Sequence, residues 1–456
     1  MSRSLTWLLA LSTLSVLVPQ VAWAKPLAIC TFQVDATPPL GSPLCDAAVA
    51  PAKEIVDPLS ARGLVLLGDE APIVLVAVDW VGIGNGGYDA WRQSLARAAG
   101  TSVDRVAVHT LHQHDAPGCD FEVEALLATK GLSGAMFHVA FARQTIDKAA
   151  EALRQSLVAP KPVTQLGVGV ARVENVASNR RVLGPDGKVQ YVRYSASTIE
   201  AARAAPEGVV DPLVRCLSFW NGDQPLAVLT YYATHPQSYY GQGGVSADFV
   251  GMARSQREAA LPGVPHIHFN GAAGNVAAGK YNDGAPANRP ILAGRLANGM
   301  SAAWNATQRT PISGSEVGWR AVEANLPLST LLADETPLLA LLDNASARPS
   351  DRVRAAADLV WARRTKAGQP IQMSCLRLGP NCVLHMPGEL FVEYQLAAAA
   401  MKPQATVCMA AYGDYGPGYI GTEIAYSQGG YETSYVSRVA PQVEKVILQA
   451  LVELLK

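Results

Sequence analysis

The sequence predicts one large α/β unit, and three observations carry that expectation. Apolar residues make up 49% of the 456 residues and charged residues only 16%, a composition that fills a sizeable core and excludes a disordered chain. Short apolar runs of strand length alternate with longer segments of helical periodicity. No Ser/Gly-rich linker divides the chain, and no repeat period emerges from it.

Taken in order, residues 30–50 are rich in Pro, Gly and Cys and read as an extended opening. The run Ile73–Val78, IVLVAV, is continuously apolar, as in a strand covered on both faces. It ends at Asp79-Trp80 and a glycine-rich loop, 82–87. A helix follows over 88–99, a strand over 104–109, a helix over 137–156, and further strands within 164–175 and 213–234. The pattern continues with a helix at 247–260, a short strand at 265–270 and a helix at 290–303. Segment 315–345, rich in Leu, Pro and Glu, reads as an excursion or small subdomain packed on the main body. A helix over 354–366 precedes a strand pair, 373–378 and 382–386, turned at Gly379-Pro380. A helix at 388–400, a strand at 406–411 and a closing helix at 436–454 complete the unit.

Charge narrows the partners. Lys and Arg total 37, Asp and Glu 38, and no basic run or basic-aromatic interleaving occurs. A nucleic-acid partner is therefore not expected, because phosphate binding needs concentrated positive charge. Arg3, the apolar stretch 5–18 and Ala22-Trp23-Ala24 have the basic, apolar and small-residue order of a secretory signal peptide. Residues 1–24 are expected to be removed, leaving a single domain over 25–456 in the periplasm or outside the cell. No later stretch has the length and apolarity of a transmembrane segment. Seven cysteines suit an oxidising compartment, with Cys30–Cys45 and Cys375–Cys382 as expected short staples. Their spacing matches neither a CxxC redox site nor a cysteine-rich zinc knuckle.

The chemistry-bearing residues fall at expected strand ends. In His109-Thr-Leu-His112-Gln-His114-Asp115-Ala-Pro117-Gly118, three of the eight histidines lie within six residues. His112 and His114 point the same way if the segment is extended. Both can then face one zinc ion, or one can bind it while the other handles protons. Tyr231-Tyr-Ala-Thr-His235-Pro236 delivers a histidine to the end of an apolar strand, where proline stops backbone pairing. In Phe269-Asn-Gly-Ala-Ala-Gly-Asn275-Val-Ala-Ala-Gly-Lys280, small residues allow close backbone approach to a ligand. Asn275 is a candidate donor to a polarised oxygen and Lys280 a candidate charge clamp. His385-Met-Pro-Gly388-Glu389 is expected to place Glu389 in a first helical turn, where its charged form is favoured and where it can complete a His/His/Glu zinc set. The fifth motif, Gly418-Tyr419 to Tyr431-Glu432, is dense in aromatics and glycine and suits a pocket wall.

These segments together resemble the catalytic region of the neutral/alkaline (non-lysosomal) ceramidase family. Val34-Asp35-Ala-Thr37-Pro38-Pro39-Leu-Gly41 is similar to that family's first segment, and His112-Gln-His114-Asp-Ala-Pro117-Gly118 to its His-Thr-His-Ser-Gly-Pro-Gly motif. The strand-end His-Pro falls on His235, the Pro-Gly-Glu carboxylate on Glu389, and the Tyr-Ile-x-Thr…Tyr-Glu pattern on Tyr419 to Glu432. The resemblance runs from about residue 34 to the C-terminus. It implies a large mixed-sheet α/β fold with Zn²⁺ held by His112, His235, Glu389 and Tyr431, and His114 as the second active-site imidazole. Two positions depart from the pattern: Ala277 stands where the family has a serine, and Asp115 replaces the serine after the histidine pair. The family's extra C-terminal β-sandwich would begin where this sequence ends.

The function expected first is a zinc hydrolase of an amide or related acyl bond using metal-activated water. His114, Asn275, Lys280 and Asp115 are its candidate catalytic residues, and Arg180, Arg181, Asp248 and Tyr419 its candidate substrate-binding residues. The alternatives are a zinc-dependent lyase or hydrolase acting on a carbohydrate or uronic acid, and a ligand-binding protein that kept the scaffold without catalysis. The partner is accordingly a small-molecule, lipid-amide or carbohydrate substrate, with weak or no activity on long-chain ceramide.

Overall fold

The structure, a computed structural model, describes residues 26–456. The signal-peptide reading of 1–24 lies outside the described residues. Three principal sheets carry the fold. The first has the strand order Val106–Thr110, Ile73–Val78, Ser60–Leu67, Ala28–Asp35, Lys161–Pro162. The second runs His266–Asn270, Gln224–Tyr232, Leu213–Asn221, Gln165–Arg172, Gln308–Pro311. The third runs Val407–Ala410, Asn381–His385, Ile371–Leu378, Val317–Ala324.

All three sheets repeat one plan. Three strands run antiparallel in sequence order, a helix crosses over, and a fourth strand returns parallel to the third. The crossover helices are Asn85–Ala99, Asp248–Ala260 and Val392–Met401. A parallel neighbour requires such a crossover, so the parallel pair and the helix arise together. The repeat is topological and leaves no period in the sequence. Loops following paired parallel strands form a crevice at their carboxyl ends, and here three such ends lie close together. Ala411 N–H donates to Asn270 O at 2.9 Å, and Thr110 N–H to Tyr412 O at 2.9 Å.

Alternation along each strand builds the core. Ile73, Leu75 and Ala77 enter an apolar cluster shared with Leu229, Tyr231, Ile267 and Phe269 of the second sheet and Leu376, Val383 and Cys408 of the third. Val74, Val76 and Val78 face the other way, onto Trp91 and Leu95 of the crossover helix and Ile146 and Leu153 of helix Val139–Ser156. The continuous apolar run is therefore a strand buried on both faces, as its sequence predicts. The second and third sheets are covered likewise, by Phe249, Leu292 and Leu296 and by Tyr394, Ile447 and Leu451. The mixed α/β architecture expected from the sequence is the one observed.

Several local expectations are corrected. Segment 315–345 is divided: Val317–Ala324 is a fully paired edge strand of the third sheet, and Thr336–Asp343 is a helix packed on Pro349–Lys366. Glu389 is outside any helix. Glu389–Leu390 forms a short parallel bridge with Tyr419–Ile420, and the helix begins at Val392. The closing helix begins at Val443. None of the seven thiols forms a disulfide, although Cys375 and Cys382 are in side-chain contact. Cys30 lies in the outer cluster of the first sheet, whereas Cys45 lies in a turn whose N–H bonds Ala116 O.

One buried ion pair fixes the end of strand Ile73–Val78. Both Asp79 oxygens receive Arg254, at 2.6 and 2.7 Å, and Oδ2 also accepts the Ser60 N–H and hydroxyl at 2.8 Å. Burial alone raises the Asp79 pKa, but Arg254, Arg62 and Ser60 outweigh it and hold the group below its ordinary value. The pair therefore stabilises the fold above the ordinary aspartate range, and that contribution fades as pH falls through the lowered folded value. Arg254→Ala strands a buried carboxylate and is expected to cost about 3–5 kcal/mol at neutral pH. Urea denaturation measures this loss, and the difference from wild type should shrink on acidification.

Candidate metal centre and its cavity

Each of three residues at strand ends is held by its own backbone environment. His112 follows strand Val106–Thr110 and has a φ of 72°, a left-handed conformation that costs a non-glycine residue on the order of 1–3 kcal/mol. Its N–H donates to Trp80 O at 3.0 Å and its Nδ1 lies 2.7 Å from Val81 O. The ring therefore reads the loop after the neighbouring parallel strand. The expected extended histidine pair is thus bent at its first member, yet the His112 and His114 ring centroids remain 5.3 Å apart. His235 follows strand Gln224–Tyr232, with Nδ1 2.6 Å from Ala273 O. Glu389 follows Asn381–His385, and its Oε1 accepts the Tyr415 hydroxyl at 2.7 Å.

These three meet in the interior. Glu389 Oε2 is 3.2 Å from His112 Nε2 and 3.0 Å from His235 Nε2. The carbonyls facing both Nδ1 atoms assign the protons there, which leaves a lone pair on each Nε2. Burial opposes ionisation of Glu389, and its contacts with His112 and His235 favour the charged form only where a cation stands between them. His235 is kept neutral chiefly by burial, against the pull of Glu389. Three acceptors thus converge within 4.8 Å of one another, and both His112 Nε2 and Glu389 Oε2 are buried without a hydrogen-bond partner among the described residues. Bringing lone pairs together in a dry interior is costly unless a cation joins them. The donor set, two imidazoles and one carboxylate with room for a further ligand, fits a divalent metal.

A cavity of about 350 Å³ opens onto this cluster, bounded by Glu389, His114, Tyr415, Tyr419 and Tyr431 among others. His114 Nδ1 is buried and unpartnered among the described residues. Burial pushes its pKa well below the ordinary value, so the ring is neutral. Tyr240 packs edge-on against it at 4.5 Å. Arg180 enters the site: its Nη1 is 3.0 Å from the Tyr419 hydroxyl and 3.3 Å from His235 Nε2. Tyr431 lines the same cavity, its ring 5.8 Å from that of Tyr419 and 5.6 Å from the Arg180 guanidinium carbon.

Other candidates stand elsewhere. The Asn275 carboxamide is spent on the Glu393 carboxylate, at 2.8 Å, and the Val392 N–H, at 2.9 Å, so it braces a helix start rather than facing an oxyanion. Lys280 donates to Arg203 O and Ala205 O, at 2.8 and 2.6 Å, closing the C-terminus of a short helix. Arg181 is bound to Glu432 and Ala425 O. Asp115 accepts Gly241 N–H and Asp248 accepts Ser238 N–H, and Arg289 pairs with Asp248 at 3.1 Å. These carboxylates hold the loop that carries Tyr240, rather than touching the cluster. Ala277 is buried in a two-residue bridge to Ser178.

Besides Tyr240, which packs on His114, three participants escaped the sequence reading. Tyr415 lies in the same Gly/Tyr-rich run as Tyr419, so a signal existed four residues upstream. Tyr412 stacks on His112 at 4.6 Å and has no motif of its own. Asp46 carries no signal at all. It sits in a turn whose residues Cys45, Asp46 and Ala47 have φ of 47°, 54° and 64°, and its Oδ1 is buried and unpartnered among the described residues. Burial raises its pKa to about 6, although Arg438 and His112 counteract.

No family model matches this chain, and no curated protein is matched by its sequence. The fold is similar to that of the neutral ceramidase from Pseudomonas aeruginosa, with a TM-score of 0.70 at 16% identity over 94% of this chain and 74% of that one. A ceramidase complexed with C2 is similar too, with a TM-score of 0.68 at 16% identity over 94% of this chain and 75% of the other. The mixed-sheet architecture is thus the neutral-ceramidase-like fold.

The metal assignment has a direct check. After dialysis against metal-free buffer, the wild type should retain one divalent equivalent by plasma mass spectrometry. His112→Ala, His235→Ala and Glu389→Gln should lose it, whereas Asn275→Ala and Lys280→Ala should keep it.

Proposed function

We propose that this protein is a zinc-dependent hydrolase of an amide or related acyl bond, with Tyr431 as a fourth ligand beside His112, His235 and Glu389. The observation that carries the reading is the convergence of two imidazole nitrogens on Glu389 Oε2, beside a cavity lined by Glu389 and by His114, whose Nδ1 is unpartnered among the described residues. Two imidazoles and a carboxylate suit zinc in its open catalytic form, and the fold shared with neutral ceramidase directs the reading toward N-acyl substrates. When bound, zinc supplies Lewis acidity toward an acyl oxygen and makes water more acidic.

The chain's own groups account for the remaining steps. Arg180 presents a cation where negative charge grows on the acyl oxygen, and Glu432, 3.2 Å from its Nε, keeps it aimed. Neutral His114 accepts the proton of the attacking water at Nδ1 and returns it to the leaving nitrogen as the C–N bond breaks. Ala277 offers no hydroxyl, so water is the nucleophile. Tyr415 holds Glu389 through Oε1 and leaves Oε2 for the metal. A cavity of about 350 Å³ lies at the small end of the range of about 300–1,000 Å³ for ligand sites, which favours short acyl groups over long-chain ceramide.

Chelation should abolish turnover of short N-acyl amines and added zinc should restore it. His114→Ala should retain metal yet lose about 10²–10⁴-fold in kcat/KM. Loss of metal in that variant instead makes His114 a ligand. The reading includes export as one catalytic domain, and mass spectrometry of the mature protein should find residues 1–24 removed.

A further inference from the structure

The arginines around the cavity differ in how far they are already committed. Arg438 donates to Asp358 at 2.7 Å and to Gly416 O at 3.1 Å. Arg348 grips both oxygens of Asp351, at 2.8 and 3.0 Å. Arg354 is left 3.7 Å from that same, already bonded carboxylate, beyond hydrogen-bond distance. Its guanidinium instead lies over the ring of Tyr435, 4.8 Å from the centroid, and both residues line the cavity that ends at Glu389.

An aromatic path joins this guanidinium to the metal cluster. The His235 ring stacks with Tyr419 at 6.1 Å, Tyr419 meets Tyr431 edge-on at 5.8 Å, and Tyr431 meets Tyr435 at 6.2 Å. Tyr435 is 52% exposed, so the path emerges at the mouth beneath Arg354. A planar cation held by one long ion pair to Asp351 and backed by a ring can receive a second carboxylate through charge-assisted hydrogen bonds. The cavity floor gains further positive charge once a divalent ion is bound, which reinforces the preference for an anionic ligand.

We propose that Arg354, supported by Tyr435, forms a recognition subsite for a carboxylate on the part of the substrate that projects outward from the scissile bond. The inference rests on the hydrolase reading and names its substrate class: small N-acyl compounds bearing a carboxylate, such as acylated amino acids or N-acetylated aminouronic acids. Arg181 and Lys280, both bound within the fold, leave this role open.

The test uses the zinc-loaded full chain and two pairs of probes: hexanoylglycine against hexanoylglycinamide, and N-acetylmannosaminuronate against N-acetylmannosamine. Wild type should favour the carboxylate member of at least one pair by about tenfold to a hundredfold in kcat/KM, the strength of a hydrogen bond to a charged group. The pair that responds identifies the source of the carboxylate. Arg354→Ala should bring the ratio near unity, and Arg354→Lys should restore part of it. Circular dichroism of each variant checks folding. Equal turnover within both pairs by wild type overturns the subsite and leaves the hydrolase intact. If no probe is turned over, the hydrolase reading fails, and calorimetric binding of the same pairs decides the subsite. Tighter carboxylate binding that disappears in Arg354→Ala supports it, and equal binding within both pairs overturns it.

Discussion

Glu389 Oε2 and the Nε2 atoms of His112 and His235 are all acceptors, and only His235 Nε2 meets a donor, from Arg180 and Tyr419, among the described residues. That constraint orders the rest of the site. Val81 O and Ala273 O draw the imidazole protons outward, Tyr415 occupies the other Glu389 oxygen, and Tyr412 covers the face of His112. Each contact leaves His112 Nε2 and Glu389 Oε2 facing inward without a donor among the described residues. The left-handed backbone at His112 belongs to the same account, since strain of this kind persists only where the surroundings over-determine it.

The three-sheet plan explains how acceptors so far apart in sequence arrive together. Each comes from a different sheet and follows one member of that sheet's parallel strand pair. A carboxyl-end crevice in one α/β sheet supplies one set of loops; here three such sets share an interior. The apolar cluster common to all three sheets sets their spacing, so packing of Phe269, Leu376 and Ile73 bears on the geometry of a site none of them touches.

Much of this was legible. The run 73–78 declared a doubly covered strand, and His-x-His, His-Pro and Pro-Gly-Glu marked strand ends by residue type and by turn chemistry. Other features could not be read. Glu389 was expected at a helix start because Pro-Gly precedes a helical pattern, yet pairing with Tyr419–Ile420 holds it extended, outside the helix that begins at Val392. Asn275 and Lys280 carry the residue types of catalysis, but polar side chains after a strand serve equally well to satisfy buried backbone groups and caps, and that choice is made by tertiary neighbours. Asp46 and Arg354 are opposite cases: ordinary in sequence, the one significant through its unpartnered Oδ1 and the other through its place over Tyr435 at the cavity mouth.

The floor and the mouth of the cavity have separate structural origins. The floor is assembled from strand ends of three sheets, locked by buried carbonyls and a shared core. The mouth is made by the first turns of helix Pro349–Lys366 and by the 431–438 segment, where Tyr435 reaches solvent and the contacts are between side chains rather than between paired strands. Sequence drift at the mouth therefore meets little resistance from the core, whereas drift at the floor disturbs three sheets together. A scaffold divided in this way can hold its chemistry fixed while its choice of substrate wanders, so likeness of fold and divergence of diet are expected to coexist among chains built on this plan.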